Sequence, residues 1–331
     1  MSLAPYSHER LIAELAVQRA SLLTKQVLQS VARGEFAKSD DTPVTIADFA
    51  AQALLIRAVR GAFPLDQFIG EENADALRGN AELRQHVWDL VASVRLDDDK
   101  SKALLARPSS IGAMLDDIDS GGRGMGGRKG RIWMMDPLDG TATFLQGQQY
   151  AVSLALTEDA IEKVGVVGCP NLPTCTSRIE EAVVDEEEYG ICSMGTGVLR
   201  PAIELLAIGD GPTDLSMLHI LGTSKGNVWR QQRLRDIAAQ VGAVYPGTNL
   251  WSSHMRYVAL VLGGGDIQLR ISRRAETEPS EAGCTVTDLN GQAIDFGAGR
   301  ELALSCGVIA AKRGVHGRML QVLKEVLKKN R

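Results

Sequence analysis

The chain has 331 residues, 44% of them hydrophobic and 23% charged, with a net charge of -5 and a pI near 5.7. This is ordinary globular composition, with length for one large domain or two of usual size. The acidic balance argues against a broad basic surface for nucleic acid, and no apolar run reaches membrane-spanning length.

The opening "MSLAPYSHER" has no apolar stretch of leader length. Cysteine stands at Cys169, Cys175, Cys192, Cys284 and Cys306, an odd number with no C-x-x-C pair, so reduced thiols and a cytoplasmic location are expected. His8, His86, His219, His254 and His316 are scattered, and no zinc-type spacing occurs.

Leu11, Ile12, Leu15, Leu22, Leu23, Val27 and Val31 recur at helical spacing, so residues 7–33 read as a helix capped by Ser7 and ended by Gly34. After the polar "EFAKSDDTP", the run "VTIADFAAQALLIRAVRG" reads as a second helix. Thr45 is its expected N-cap, Asp48 falls at a capping-box position, and Gly61 closes it. "DQFIGEEN" reads as a short strand ending in Glu71 and Glu72. Residues 80–95 look helical, and "RLDDDK" with the polar segment up to Arg131 reads as loop. "YAVSLALTEDAIEKVGVVGCP" reads as two strands turning near Glu158 and Asp159, from the alternation of Val152, Leu154 and Leu156 and then Val164, Val166 and Val167. Further on, strands are expected near 189–194, 218–222, 266–271 and 302–311. Helices are expected near 198–206, 228–241, 252–263 and 315–328.

The chemistry concentrates in "WMMDPLDGTATF". Ile132 to Met135 form a strand-like apolar run that ends on Asp136. Pro137 stops further pairing, Asp139 follows three residues after Asp136, and Gly140 permits close backbone approach. Amides around Gly140 and Thr141, if a helix starts there, favour an anion. Carboxylates for a hard cation beside amides for a phosphate are the equipment of metal-assisted phosphate-ester hydrolysis. A polar turn with an Asp cap is the plainer reading of the same residues.

Taken together, "PVTIADFAAQ", "FIGEEN" and "DPLDGT" resemble the lithium-sensitive, inositol-monophosphatase-like phosphatase superfamily. "ASLLTKQVL", "KSDDTPVTIADFAAQALL", "GGRKGRIWMMDPLDGTATFLQGQQYAVSLAL" and "VGVVGCPNLP" are similar to its 3′(2′),5′-bisphosphate nucleotidase branch, over most of 6–172 and again, more weakly, at 249–270 and 281–311. The resemblance implies an α/β fold, layered α+β: an αβαβα sandwich of two lobes. Residues 1–170 would carry the catalytic motifs and 171–331 the nucleotide contacts. Glu71, Asp136, Asp139 and the Leu138 carbonyl would hold Mg²⁺, and Asp48 with Thr141 would orient and activate water. Gly140, Thr141, Ser253, Arg256 and Arg270 would contact the substrate, the last three from "LWSSHMRYVAL" and "DIQLRI". The implied reaction is removal of the 3′-phosphate from 3′-phosphoadenosine 5′-phosphate, or its sulfated form, in sulfur metabolism. The partner is then a small nucleotide, with no nucleic acid and no membrane.

Other segments read as scaffold. "GGRGMGG" matches G-x-G-x-x-G at Gly122, Gly124 and Gly127, but a polar loop precedes it and a strand follows, so it reads as a flexible basic segment. "VVDEEEYG" reads as a solvated acidic loop and "RQQRLRD" as an exposed helix face.

The chain also departs from the family pattern. Where the family has a W-D-x-A-x-G helix start, between "DIQLRI" and "EAGCTVTDLNG", only "SRRAETEPS" stands. Ala142 and Thr143 replace the branch's usual Lys-Gly after D-G-T. Glu276, Glu278 or Glu281 are the available substitutes for the absent carboxylate. A rearranged phosphatase, a non-catalytic relative, an alternative transcript, or an inositol- or sugar-phosphate phosphatase are the alternatives left open.

Overall fold

The structure, a computed structural model, describes residues 4–33, 42–173, 179–182, 184, 190–194, 209–271, 284–300, 302 and 305–328. It divides into two compact units, Met1–Thr174 with Val184–Ile203, and Cys175–Val183 with Glu204–Arg331.

The first unit opens with α1 (Ser7–Ala32) and α2 (Thr42–Ala62), packed on each other. There follow β1 (Gln67–Ile69), α3 (Asp75–Gly79), α4 (Ala81–Ser93), α5 (Asp99–Leu104), α6 (Ile111–Gly122), β2 (Arg131–Asp139), α7 (Thr141–Phe144), β3 (Ala151–Glu158), β4 (Ile161–Cys169) and β5 (Gly190–Met194). The five strands form one sheet in the order β1-β2-β3-β4-β5. Only β1 and β2 run parallel; the other pairs are antiparallel. α1 packs against β3 and β4, α2 against β2, and α4 and α6 lie on α2. With neighbours on several sides, α2 is apolar almost all round, its Ile46, Phe49, Leu54, Leu55 and Ile56 all buried beside a run of alanines. Two of its polar side chains, Asp48 and Gln52, are therefore drawn into the interior.

Several sequence expectations need correction here. Ser7 is the first helical residue of α1 and not its cap; Tyr6 occupies that position in a left-handed conformation, with no side-chain cap. Gly34 lies outside the described residues. Thr45 is not the cap of α2 either, because the helix is already running from Thr42, so Asp48 lies inside it and its carboxylate is not spent on the helix start. The segment from 96 to 131 is not a loop: it holds α5, capped by Asp98, and α6, capped by Ser110. Ile111, Met114, Leu115 and Ile118 carried the helical period of α6. Gly122 belongs to the end of α6 and packs so closely that a side-chain carbon there would fall 2.1 Å from the Glu72 carbonyl oxygen. "GGRG" is a packing surface. The β3–β4 hairpin is as expected, with Asp159 and Ala160 both left-handed at its turn.

α6 is anchored to α2 by charge as well as by packing. Asp117 is fully buried and meets Arg57 Nε at 2.7 Å and Arg60 Nη1 at 2.6 Å. Strand β2 is tied to the turn before β1, where Trp133 Nε1 donates to Asp66 Oδ2 at 2.8 Å.

The second unit holds β6 (Ile220–Gly222), α8 (Val228–Gln240), β7 (Thr248–Asn249), α9 (Ser253–Val261), β8 (Ile267–Arg270), β9 (Cys284–Thr287), β10 (Val308–Lys312) and α10 (Arg313–Lys328). Its sheet order is β7-β6-β8-β10-β9, with β6 parallel to β7 and β8 and the rest antiparallel. Ile220, Ile237, Ile267, Ile309, Val315, Met319 and Leu323 form its core. Asn227 caps α8 and Ser252 caps α9. The strand expected over 302–311 is confined to Val308–Lys312, and β7 and β9 were not anticipated. The helix expected near 198–206 and the segment 272–280 lie outside the described residues, as do Glu276, Glu278 and Glu281.

Candidate active site

The parallel pair β1 and β2 sets the geometry. Ile69 is the partner of Met134, and both strands run out of the sheet in the same direction. Glu71 lies two residues past Ile69 and Asp136 two residues past Met134. Adjacent strands lie about 4.8 Å apart, so this register brings the two acidic ends side by side.

A bulge then redirects β2. Asp136 is opposite Ser153 and Asp139 is opposite Ala151, so three steps on β2 answer two on β3. Pro137 sits in that interval, where a missing N–H costs the ladder nothing. The Leu138 N–H donates to Asp136 Oδ1 at 3.1 Å, closing a local turn. One ligand oxygen of Asp136 and one of Asp139 thereby lie within 4.8 Å of each other. Gly140 follows with φ of 106°, a backbone open to glycine. Thr141 is exposed at the start of α7, which is only four residues long.

Thr143 accounts for one departure from the family pattern. It is fully buried, and its hydroxyl serves the Gly140 and Gln149 carbonyls, each at 2.7 Å. At this position the chain has exchanged flexibility for a hydroxyl that pins the loop from inside.

Asp48 approaches from α2. It is 9% exposed, and its Oδ1 has no hydrogen-bond partner. Burial, then Glu72, Glu71 and Asp136, hold its carboxyl well above the ordinary carboxylate range. Among the described residues, every charge acting on it is acidic. Burial and Glu71 likewise raise Glu72. Asp48, Glu71, Glu72 and Asp136 therefore share one electrostatic neighbourhood, with Asp139 next to Asp136. A buried carboxylate facing other carboxylates is costly unless a cation compensates it. The donors are all hard oxygens, so a divalent cation of the Mg²⁺ type fits them.

Gln52 has no counterpart among the residues singled out in the sequence, and Glu72 is placed there at a strand end without a role. Gln52 lies one turn beyond Asp48 on α2 and is fully buried. Its amide donates to the Glu72 carbonyl at 2.6 Å and to the Ile118 carbonyl at 2.9 Å, and it accepts the Glu72 N–H at 2.9 Å. The signal available in the sequence was a lone amide four residues after Asp48, in an otherwise apolar stretch.

The remaining nominated residues lie in the second unit. Ser253 is the first residue of α9, and Arg270 ends β8 opposite Val308. Arg256 is buried and donates through Nη1 to the Leu250 carbonyl at 2.6 Å and the Trp251 carbonyl at 3.0 Å.

The inositol monophosphatase family model matches residues 8–328. A 3′(2′),5′-bisphosphate nucleotidase of Emericella nidulans is 38% identical, with 98% of this chain and 99% of the relative covered. One of Schizosaccharomyces pombe is 34% identical, with 98% and 97% covered. The first alignment runs over 358 positions against 331 residues here, so that relative has residues for which this chain has none. Among solved structures, inositol monophosphatase-II from Staphylococcus aureus MSSA476 matches with a TM-score of 0.55 at 15% identity, covering 94% of this chain and 91% of its own. Mycobacterium tuberculosis SuhB matches at 0.51 and 18%, with 97% of each chain covered. These two share the fold. With a family model spanning nearly every residue and relatives above 30% identity along their whole length, the chain belongs to the inositol monophosphatase family.

Proposed function

We propose that the chain is a Mg²⁺-dependent phosphatase that removes the 3′-phosphate from 3′-phosphoadenosine 5′-phosphate, giving AMP and phosphate. The observation that carries this reading is the convergence of Asp48, Glu71, Glu72 and Asp136 where β1 and β2 leave the sheet. The naming of relatives at 34–38% identity as 3′(2′),5′-bisphosphate nucleotidases supports the substrate class.

Glu71, Asp136, Asp139 and the Leu138 carbonyl would hold the metal. Bound there, the ion would supply Lewis-acid polarisation of the phosphoryl group and a more acidic water. Asp48, with Thr141, orients the attacking water. Asp48 accepts a proton as the water oxygen bonds to phosphorus, the P–O3′ bond breaks with its electron pair on O3′, and O3′ takes up a proton from solvent. The Gly140 and Thr141 backbone is assigned to the phosphate. Ser253, Arg256 and Arg270 are assigned to the nucleotide, on the similarity of their segments. For Arg256 this assignment adds to the carbonyl bonds it already makes.

A cytoplasmic location belongs to the same reading. Cys169, Cys284 and Cys306 are free thiols, and among the described residues no helix is long and apolar enough to cross a membrane.

The experiment is phosphate release from 3′-phosphoadenosine 5′-phosphate, with and without Mg²⁺, beside a panel of inositol and sugar phosphates. Metal-dependent release, lost in Asp136→Asn with the circular-dichroism spectrum unchanged, is expected. Preference for an inositol phosphate would move the chain to the other branch. Binding without release would make it a non-catalytic relative.

A further inference from the structure

We propose that the first unit carries a second anion site, remote in sequence from the carboxylate cluster, that takes a free tetrahedral oxyanion of the phosphate or sulfate class. The site is a pocket of about 160 Å³ lined by Arg19, Arg95, Leu96, Lys102, Leu105 and Arg107. Four of those six side chains are cationic and none is acidic.

Arg19 lies in the middle of α1 and is 2% exposed. Its terminal nitrogens donate only to backbone: Nη1 and Nη2 to the Ala106 carbonyl at 3.1 Å, and Nη2 also to the Leu54 carbonyl at 3.1 Å. Its buried Nε has no acceptor among the described residues. Arg95 is held in the same manner, by the Val94 and Ala92 carbonyls. Carbonyls fix the planes of these guanidinium groups and leave their charge unneutralised.

The aspartates that follow Arg95 do not neutralise it. Asp98 is engaged at the start of α5, accepting the Ser101 N–H at 2.8 Å, and Asp99 meets Lys102 at 3.0 Å. Asp97 does not line the pocket. Among the described residues, no carboxylate pairs with Arg19, Arg95 or Arg107. Burial first, and then Arg95 and Arg107, pull Arg19 down to about 10. Burial and Arg107 lower Arg95 in the same direction.

Three arginines raising one another's energy in a partly dry pocket call for an anion. Guanidinium forks match the oxygens of phosphate or sulfate, two at a time. The volume has room for a compact polyatomic ion, since it far exceeds the ~15 Å³ that one water needs. A compact ion is the guest that answers both charge and size.

The test is thermal unfolding of the full chain in EDTA, which keeps turnover and metal-bound phosphate out of the measurement. Inorganic phosphate and sulfate are titrated at constant ionic strength against chloride. Wild-type protein is expected to show a saturable rise in Tm with either ion. Arg107 is exposed and makes no hydrogen bond among the described residues, so Arg107→Gln should fold normally. It should keep its Tm in chloride, or raise it, and need at least ten times more phosphate to reach half its shift. Asp136→Asn should respond like wild type, which separates this site from the carboxylate cluster. An equal phosphate response in wild type and Arg107→Gln would overturn the proposal. So would the absence of any saturable shift in wild type, or a fall in Tm of Arg107→Gln in chloride.

Discussion

Gln52 and Glu72 are joined through both backbone groups of the glutamate: the Gln52 amide donates to the Glu72 carbonyl at 2.6 Å and accepts its N–H at 2.9 Å. One side chain thus does for the Glu71–Glu72 segment what a neighbouring strand would do. It also bonds the Ile118 carbonyl at 2.9 Å, so α2, α6 and the end of β1 meet on a single buried amide. Gln52→Leu keeps the volume and removes all three bonds. Leaving buried partners unsatisfied costs about 1–3 kcal/mol each. Because the amide holds the backbone of the residue next to Glu71, a nominated metal ligand, the Mg²⁺ concentration for half-maximal activity should also rise about tenfold. A lower Tm with unchanged metal dependence would reduce Gln52 to a stability residue.

That relationship shows where sequence reasoning stopped. Asp136 is legible because it ends an apolar run, and Asp139 because it follows three residues later, beyond Pro137; the roles of Glu71 and Asp48 come only from the resemblance of "FIGEEN" and "PVTIADFAAQ". For Asp48 the capping-box position alone does not hold. A capping-box spacing at Thr45 looks the same in sequence whether or not the helix began a turn earlier, at Thr42. Gln52 could not be weighed because its partners are backbone groups of residues 72 and 118, which leave no side-chain signature. In the stretch 96–131 charge and glycines mask the helical period of Ile111, Met114, Leu115 and Ile118. The glycines there serve close packing, as Gly122 against Glu72 shows.

Removing charge from the carboxylate cluster should stabilise the metal-free protein while destroying activity. Asp48 is buried and, among the described residues, has an unpartnered Oδ1 and faces only acids. Asp48→Asn keeps the shape and relieves the repulsion, a change of the kind that contributes about 1 kcal/mol of stability. In EDTA its Tm should exceed that of wild type. In saturating Mg²⁺ the order should narrow or reverse, because a ligand that binds only the folded state stabilises wild type in proportion to its affinity. Thermal scans in the two buffers, beside turnover assays, check both halves.

Asp117 calls for the opposite outcome. It is fully buried between Arg57 and Arg60, at 2.7 and 2.6 Å. Asp117→Ala strands two partly buried guanidinium groups and frees α6 from α2. Breaking a buried pair of this kind costs about 3–5 kcal/mol. Urea unfolding should show that loss in the first unit. Activity of the protein that remains folded should fall as well, since α6 supplies the Ile118 carbonyl to Gln52.

Thr143 tests how the D-G-T loop is held. Thr143→Val keeps the branched shape and deletes the hydroxyl that serves the Gly140 and Gln149 carbonyls. The hydroxyl's single proton, shared between the two carbonyls, is lost; the Gly140 carbonyl keeps the Thr143 and Phe144 N–H groups, so the cost is that of one hydrogen bond, about 1 kcal/mol. Turnover should fall more than the half-saturating substrate concentration rises, because what loosens is the backbone beside Asp139 and Thr141. Steady-state kinetics of the variant separates the two effects.

The second unit should supply its own pH dependence through His316. This residue of α10 is 7% exposed, and its Nε2 lies 3.0 Å from Thr287 Oγ1. The Thr287 hydroxyl donates its single proton to the Asp288 carbonyl at 2.9 Å, so His316 is the donor in the other bond and carries its proton on Nε2. Burial lowers its pKa below the ordinary value of 6.5. The unfolded chain therefore takes up a proton that the folded chain resists. The stabilisation is complete above that ordinary value and drains away as pH falls from it towards the lower folded value. The slope from one such group is at most about 1.4 kcal/mol per pH unit. His316→Gln retains a donor for Thr287 and cannot titrate, so its unfolding free energy between pH 7.5 and pH 5 should fall less steeply than wild type. Parallel urea titrations across that range decide it, and identical slopes in the two proteins would remove His316 from the account.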